Sequence, residues 1–290
     1  MIKVTVPATS ANVCIGFDCL GMAVNMEAVF TFEKSDTLLI TGCPEEFANI
    51  NNLVVQGFRR ICQHLKKDFP TFHLHIDSPI PLTRGLGSSS ACVIAGILGA
   101  DAWFESRLDK KELLAIAIDM EGHPDNVAPA IYGQTCVGFM DDGQPHLMNI
   151  PCPDWKGLAI IPPYPIHTDQ ARKILPTTLP YRDVTKQVGY ALTFVQALQA
   201  GDELVLSKAC HDFLHEPYRK KLIPEYDSIK NFCLDKGFPM WISGSGSTML
   251  AISLNEKKIK DLESWMNKTY PYIECKRISI SKEGARVEYE

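Results

Sequence analysis

A chain of 290 residues that is 46% hydrophobic and 22% charged has the composition of a folded globular protein and length enough for two domains. Its formal net charge of −5 argues against nucleic acid or an anionic membrane as a partner, and its longest apolar run, around Val93 to Leu98, is too short to span a bilayer. The ten cysteines are scattered, with no Cys-x-x-Cys and no signal peptide, so the expectation is free thiols in a reducing cytoplasm.

Ile2 to Pro7 alternates apolar and polar residues and predicts a strand ending at Pro7. Pro7 to Asp18 is a loop of small and polar residues, read either as a hairpin connection or as a substrate loop offering Asn12 and Asp18. Glu27 to Phe32 predicts a second strand. Asn52 opens a helix carrying Leu53, Phe58, Ile61 and Leu65 at helical spacing, with Arg59 and Arg60 on its wet side. Phe72 to Asp77 is extended, and the apolar run Ala91 to Ala100 predicts a buried helix.

Between these two elements lies Pro81-Leu82-Thr83-Arg84-Gly85-Leu86-Gly87-Ser88-Ser89-Ser90-Ala91. Gly85 and Gly87 let the backbone take positive φ and approach a ligand closely. Serines at a helix N-terminus cap free N–H groups where the dipole is positive, a setting that favours an anion, phosphate above all. A serine-capped core helix after a glycine turn accounts for the stretch equally well. No Gly-Lys-Ser/Thr follows, so it is not a Walker loop, and the third glycine of the dinucleotide fingerprint is missing.

Asp109 with Glu112 predicts a capping box for a helix through Met120. That helix runs into Glu121-Gly122-His123-Pro124-Asp125-Asn126-Val127-Ala128-Pro129. One reading is a kinked connection with Asp125 or Asn126 as an N-cap; the other is a catalytic loop. Gln134 to Met140 predicts a strand and Asp141 to Gly143 a turn. Dense prolines from Pro151 to Pro165 mark a domain boundary near 150–157.

In the second half, Leu158 to Ile161 predicts a buried strand, and Thr168 an N-cap with Arg172 one turn later. Val184 to Ala200 is a helix ending at Gly201. The next helix is expected to carry His211 and His215 on one face, partly buried; with no third ligand nearby they are not assigned a metal. Glu216-Pro217-Tyr218-Arg219 is a solvated turn or part of a site. Trp241 to Thr248 ends a strand in a sharp turn at Gly244-Ser245-Gly246, Met249 to Ser253 is a strand, and a charged helix from Glu256 to Lys268 precedes a last strand near Cys275 to Ile280.

Pro-x-x-x-Gly-Leu-Gly-Ser-Ser-x-Ala at 81–91 resembles the phosphate loop of the GHMP kinases, which include galactokinase, mevalonate kinase and homoserine kinase; Thr83 stands where Gly or Ala is usual. The Pro7–Asn12 and Gly16–Asp18 stretch, His123-x-Asp-Asn-Val-Ala-Pro129 and Thr168-x-x-Ala-Arg172-x-x-Leu-Pro176 are similar to the homoserine kinases in particular. Gly244 to Thr248 resembles the third family motif, with Ser247 where Pro is usual.

The resemblance implies an α+β fold of two domains: an ATP-binding, ribosomal-S5-domain-2-like half at 1–153 and a ferredoxin-like half at 154–290. It implies phosphorylation by ATP of the side-chain hydroxyl of L-homoserine, a step towards threonine, in a cytoplasmic homodimer. ATP would lie on Pro81, Leu82, Thr83, Arg84, Gly85, Leu86, Gly87, Ser88, Ser89, Ser90 and Ala91, supported by Gly244, Ser245 and Gly246. Mg²⁺, which takes few protein oxygens where a nucleotide supplies the rest, would sit on Ser89 and Glu121. Substrate would meet Asn12, Asp18, Asp125, Thr168, Arg172 and Arg219, and catalysis would fall to Asn126, Asp125 and His123. Which of Asp18, Asp125 and His123 accepts the proton stays open. So do two rival readings: a kinase for another small alcohol, or a non-catalytic ligand sensor on the same fold.

Overall fold

The structure, a computed structural model, describes all 290 residues. β1 (Ile2–Ser10) and β2 (Leu20–Lys34) form its central antiparallel pair. The ladder jumps from Pro7↔Glu27 to Ala8↔Val24, a bulge at the residue that has no N–H to donate. β2 therefore bends and outruns the Glu27–Phe32 strand expected. Its start pairs with the strand at Thr135–Asp141 and its end with the strand at Phe72–Asp77. β3 (Leu39–Thr41) is too short to have been legible and runs parallel to β4 (Phe72–Asp77).

α1 (Leu53–Leu65) is capped by Asn52, whose Oδ1 accepts from the Val54 amide at 2.9 Å. α2 (Ser88–Trp103) is apolar all round because it is buried on nearly every side. α3 (Lys110–Glu121) has Asp109 as N-cap, but the Glu112 carboxylate pairs with His64 at 2.8 Å, so the expected capping box is half made. α4 (Pro124–Tyr132) starts with proline at its first position; His123 occupies the N-cap, and Asp125 and Asn126 lie in the first turn, not at the cap. β5 (Thr135–Asp141) and β6 (Gln144–Ile150) make a hairpin on the first sheet; β6 was not foreseen.

Between Ile150 and Lys156 the chain crosses to a second sheet. β7 (Lys156–Ile161) leads through α5 (Thr168–Lys173), α6 (Tyr181–Ala200), α7 (Glu203–Ala209), α8 (Glu216–Arg219) and α9 (Tyr226–Asp235) to the hairpin β8 (Met240–Ile242) and β9 (Met249–Ser253). α10 (Glu256–Thr269) and β10 (Glu274–Ser279) follow. All pairs are antiparallel in the order β10-β7-β9-β8, the ferredoxin-like arrangement. The unforeseen β11 (Arg286–Tyr289) returns to pair with β1, closing the first sheet with the far end of the chain.

His211 and His215 lie in the link between α7 and α8 rather than on a helix. His211 is exposed, and His215 is fully buried with Nε2 2.7 Å from the Cys14 carbonyl, so they share no face. All ten cysteines are free, and no helix is long and apolar enough to cross a membrane.

There are two apolar cores. The larger, of 55 buried residues, joins the first sheet and α1–α4 to Phe194, Leu198, Leu206, Trp241 and Leu250 from the second half. The smaller, of 17, lies between the other face of the second sheet and α9 and α10. The halves thus share a core, and a cleft opens at its edge where the loops of both converge.

Candidate active site

The cleft holds about 400 Å³. One wall is the turn into α2. Gly85 and Gly87 have φ of +77° and +69°, and a Cβ would sit 2.1 Å from the Ser243 carbonyl at Gly85 and 2.0 Å from Thr9 Oγ1 at Gly87, so no larger residue fits either place. The serine hydroxyls do not cap α2 as expected. Those of Ser89 and Ser90 donate to Glu121, at 3.1 and 2.7 Å. The backbone amides of Gly85 through Ser90 consequently donate to no other protein group. A run of free N–H groups at the positive end of a helix is a cradle for an anion.

Of the stretch 81–91, Thr83, Gly85, Gly87, Ser88, Ser89 and Ser90 face the cleft. Leu86 and Ala91 are buried as struts, while Pro81 and Leu82 sit at the surface. Arg84 turns away: its Nε and Nη2 donate to the carbonyls of Pro162 and Pro163, tying the loop to the second half.

The turn after β8 braces this loop. Ser243 Oγ lies 2.6 Å from the Gly85 carbonyl, the Thr248 amide donates to Arg84 O, and the Gly244 amide to Ala11 O. Gly244 and Ser245 reach the cleft; Gly246 faces Ile223 and Ile242 instead. Asn12, also at the cleft, is committed to this scaffold: Nδ2 donates to the Gly244 carbonyl at 2.9 Å and Oδ1 accepts from the Asp18 amide at 3.0 Å.

The acidic groups come from the α3–α4 junction. Gly122, at φ +89°, ends α3 with Glu121 facing the start of α2. Asp125, 1% exposed, accepts from the Asn12 amide at 3.2 Å and sits 2.5 Å from His123 Nδ1. That hydrogen bond, more than the opposing burial, raises the His123 pKa above its ordinary value. Asn126 Oδ1 accepts from the Thr9 hydroxyl at 2.8 Å, which leaves its NH₂ group without a protein partner. β1 runs on past Pro7 to Ser10, so Thr9 belongs to the end of the strand and not to the loop expected from Pro7; its role rests on Asn126, 117 positions away, which nothing at Thr9 itself signals.

The second half supplies the cations. Thr168 is the first residue of α5 and caps nothing; His167 holds the N-cap position. Arg172 forks onto Asp18, with Nη1 and Nη2 at 3.0 and 2.8 Å from the two carboxylate oxygens, and this pairing raises its pKa. Arg219 is 2% exposed, so its motif is no solvated turn; Nη1 donates to Gly244 O at 2.9 Å and Nε to Ala171 O at 3.3 Å. Burial, and then the charge of Arg172, lower its pKa to about 10, which leaves it protonated at neutral pH. Glu216 of the same short helix is structural: its carboxylate accepts from the Ile242 amide and the Tyr226 hydroxyl.

Two places invite a cation. Asp18, His123 and Asp125 bring ligand atoms within 4.8 Å of one another, but both oxygens of Asp18 are held by Arg172, and Asp125 is held by His123 and the Asn12 amide. Glu121 with Ser89 is an all-oxygen set beside the amide cradle, open on the cleft side, and so fits a hard cation that a phosphate helps to ligate.

Residues 52–134 match the GHMP kinases N terminal domain family and residues 194–271 the GHMP kinases C terminal family. Fold and cleft therefore define a GHMP-type kinase. The phosphomevalonate kinase of Streptococcus pneumoniae, solved with phosphomevalonate and AMPPNP, shares the fold at a TM-score of 0.75 and 13% identity, covering 97% of this chain and 100% of that one. The homoserine kinase structure from Cytophaga hutchinsonii superposes at a TM-score of 0.86 with 29% identity, covering 99% and 97%. A homoserine kinase of Clostridium botulinum (strain ATCC 19397 / Type A) is 37% identical over 292 aligned positions, 99% of this chain and 98% of that protein. The chain belongs to the homoserine kinase family.

Proposed function

We propose that this protein transfers the γ-phosphoryl group of ATP to the side-chain hydroxyl of L-homoserine, giving O-phospho-L-homoserine on the route to threonine, in the cytoplasm. One observation carries the reading: a single cleft presents free helix N-terminal amides for phosphate and two guanidinium groups for a carboxylate. Residues 1–153 then form the ATP-binding domain and 154–290 the second, apart from the returning β11. The direct test is incubation with ATP, Mg²⁺ and homoserine followed by ³¹P spectroscopy; a new phosphomonoester on the γ-oxygen supports the reading, and ATP left intact contradicts it.

The amides of Gly85 to Ser90 hold the phosphates, and Ser89 and Glu121 hold Mg²⁺. The metal, when bound, neutralises charge on the transferring group. Phosphoryl transfer through a loose transition state depends on positioning and electrostatics more than on a strong base. The free NH₂ of Asn126 is placed to orient the acceptor hydroxyl and the γ-phosphoryl. Arg172 and Arg219 grip the carboxylate. Asp18 pairs with the fork of Arg172, and an arriving zwitterion exchanges partners with this pair: carboxylate to Arg172, ammonium to Asp18 and Asp125. Thr168 adds a hydroxyl at the same end of the cleft. His123 is the available proton carrier, and its raised pKa depends on Asp125.

Asp125→Asn should therefore do two things. The Michaelis constant for homoserine should rise more than that for ATP, and the His123 pKa, followed by NMR titration, should fall because the hydrogen bond that raises it is weakened. Equal effects on both substrates with an unmoved His123 would assign the loop a purely structural role.

We further propose a homodimer. Tyr181, Val184, Val188 and Leu192 expose a continuous apolar stripe along α6, with Leu192 71% exposed. Such a stripe on a soluble chain marks an interface. Leu192→Glu should convert a dimer to a 32.3 kDa monomer in sedimentation; unchanged mass would clear this face.

A further inference from the structure

Arg172 and Arg219 carry like charges into one small space; Asp18, Asp125 and Asp212 offset part of the repulsion at Arg219 through space, and a further partner that leaves the donors unoccupied would add to this. A carboxylate on each would offset it but would also occupy the forks. Only Arg172 has one, in Asp18. The side chain that meets both guanidiniums is Phe17: Arg219 Cζ lies 5.2 Å from its ring centroid and Arg172 Cζ 5.6 Å. The negative face of an aromatic ring attracts a cation without accepting a strong hydrogen bond, so the N–H groups stay available.

The ring is itself firmly held. The imidazole of His215 stacks on it with centroids 5.4 Å apart and planes at 28°. Through Nε2 that imidazole also meets the Cys14 carbonyl at 2.7 Å, three residues before Phe17. Gln187 Nε2 donates to the Ile15 carbonyl at 2.7 Å, and the Gly16 amide closes a turn onto Asn12 O at 2.8 Å. Asn12, Cys14 and Asp18 all have positive φ, of 65°, 60° and 58°, which non-glycine residues seldom adopt and which persists only where surroundings over-determine the backbone. A loop constrained this heavily has a fixed object to present, and Phe17, which does not line the cleft itself, lies against the two cations that do.

We infer that Phe17 is a positioning residue for carboxylate recognition: its π-face keeps Arg172 and Arg219 side by side and charged without itself occupying their donors, and so sets the affinity for an α-amino acid acceptor. The inference rests on the proposed homoserine kinase activity.

The test replaces Phe17 by phenylalanines bearing one, two and three ring fluorines, which drain the π-face stepwise while nearly keeping its shape. The Michaelis constant for homoserine should climb along the series. Phe17→Leu should raise it roughly 5- to 30-fold, the scale of a desolvated cation–π pair, and Phe17→Tyr should restore it. The constants for ATP, and for 3-aminopropanol as a carboxylate-free acceptor, should hold steady, as should the unfolding temperature of the fluorinated set. A flat homoserine response in an active kinase overturns the inference alone. A series in which ATP, aminopropanol and thermal stability all drift with fluorination overturns it too, because Phe17 would then be ordinary packing. A wild-type chain inert toward homoserine removes the functional reading, and this inference with it.

Discussion

Arg219→Ala is expected to lower kcat/KM for homoserine by roughly 30- to several-thousand-fold, from the 2–5 kcal/mol typical of breaking a buried charge pair at 1.36 kcal/mol per decade. The size follows from burial. Arg219 is 2% exposed, so a substrate carboxylate paired with it would be largely desolvated, with no water to compensate for its loss. Arg172→Ala should fall in the same range but for a mixed reason, since it also leaves the Asp18 carboxylate without the fork that now holds it. The carboxylate is remote from the reacting hydroxyl, so most of the loss should appear as weaker homoserine binding, with the Michaelis constant for ATP hardly moved. Comparing homoserine with 3-aminopropanol sharpens the measurement. Wild type should prefer the amino acid strongly, and either variant should lose most of that preference. If wild type and variants discriminate equally, these arginines do not read a carboxylate. Arg219→Lys is an informative third variant: it keeps the charge but not the bidentate fork, and should recover only part of the loss.

The second large effect is expected at Glu121. Glu121→Gln preserves volume but removes the charge, and a single amide oxygen cannot accept from Ser89 and Ser90 as two carboxylate oxygens do. Turnover at saturating substrates should drop by roughly 10²-fold, the usual result of deleting one electrostatic contact to a transition state. The residue is only half-buried at the end of α3, so the unfolding temperature should stay close to that of wild type. Activity within about twofold of wild type would contradict an electrostatic role. Activity and stability falling together would instead make Glu121 a brace for the start of α2.

Much of this site was legible before any coordinates because its chemistry is written in short contiguous stretches. Gly85, Gly87 and the three serines announce a helix N-terminus near an anion, and the polar run from Glu121 to Asn126 stands out between two apolar helices. What those stretches do not reveal is which polar groups engage one another. The serines were expected to cap α2, yet the hydroxyls of Ser89 and Ser90 turn to Glu121, more than thirty positions away, and that exchange is what frees the amides. Arg84 reads as a phosphate ligand in a phosphate loop and is instead a tie to Pro162 and Pro163. Thr9, Phe17 and Ser243 carry no individual signal, because their importance lies in partners distant in sequence: Asn126, the two arginines and Gly85.

The fold shows the same division. Long elements such as α1, α2 and α10 were plain, α1 from its helical spacing and α2 from its continuous apolar run. The strands β3 and β11 have few residues and owe their existence to a neighbouring edge, and β6 is largely exposed, with weak alternation. The helical spacing of His211 and His215 was misleading because α7 stops at Ala209, and the Asp212 carboxylate instead accepts hydrogen bonds from the amides of Leu214, His215 and Glu216 at the entry to α8.

The central claim, that this cleft phosphorylates homoserine, is tested most directly by ADP release in the presence of Mg²⁺-ATP against a panel of hydroxylated acceptors: homoserine, threonine, galactose and mevalonate. The account predicts the highest kcat/KM for homoserine, with galactose and mevalonate, which lack the ammonium and carboxylate pair, far behind. Faster turnover of galactose or mevalonate, or no acceptor-dependent ADP release at all, would contradict it.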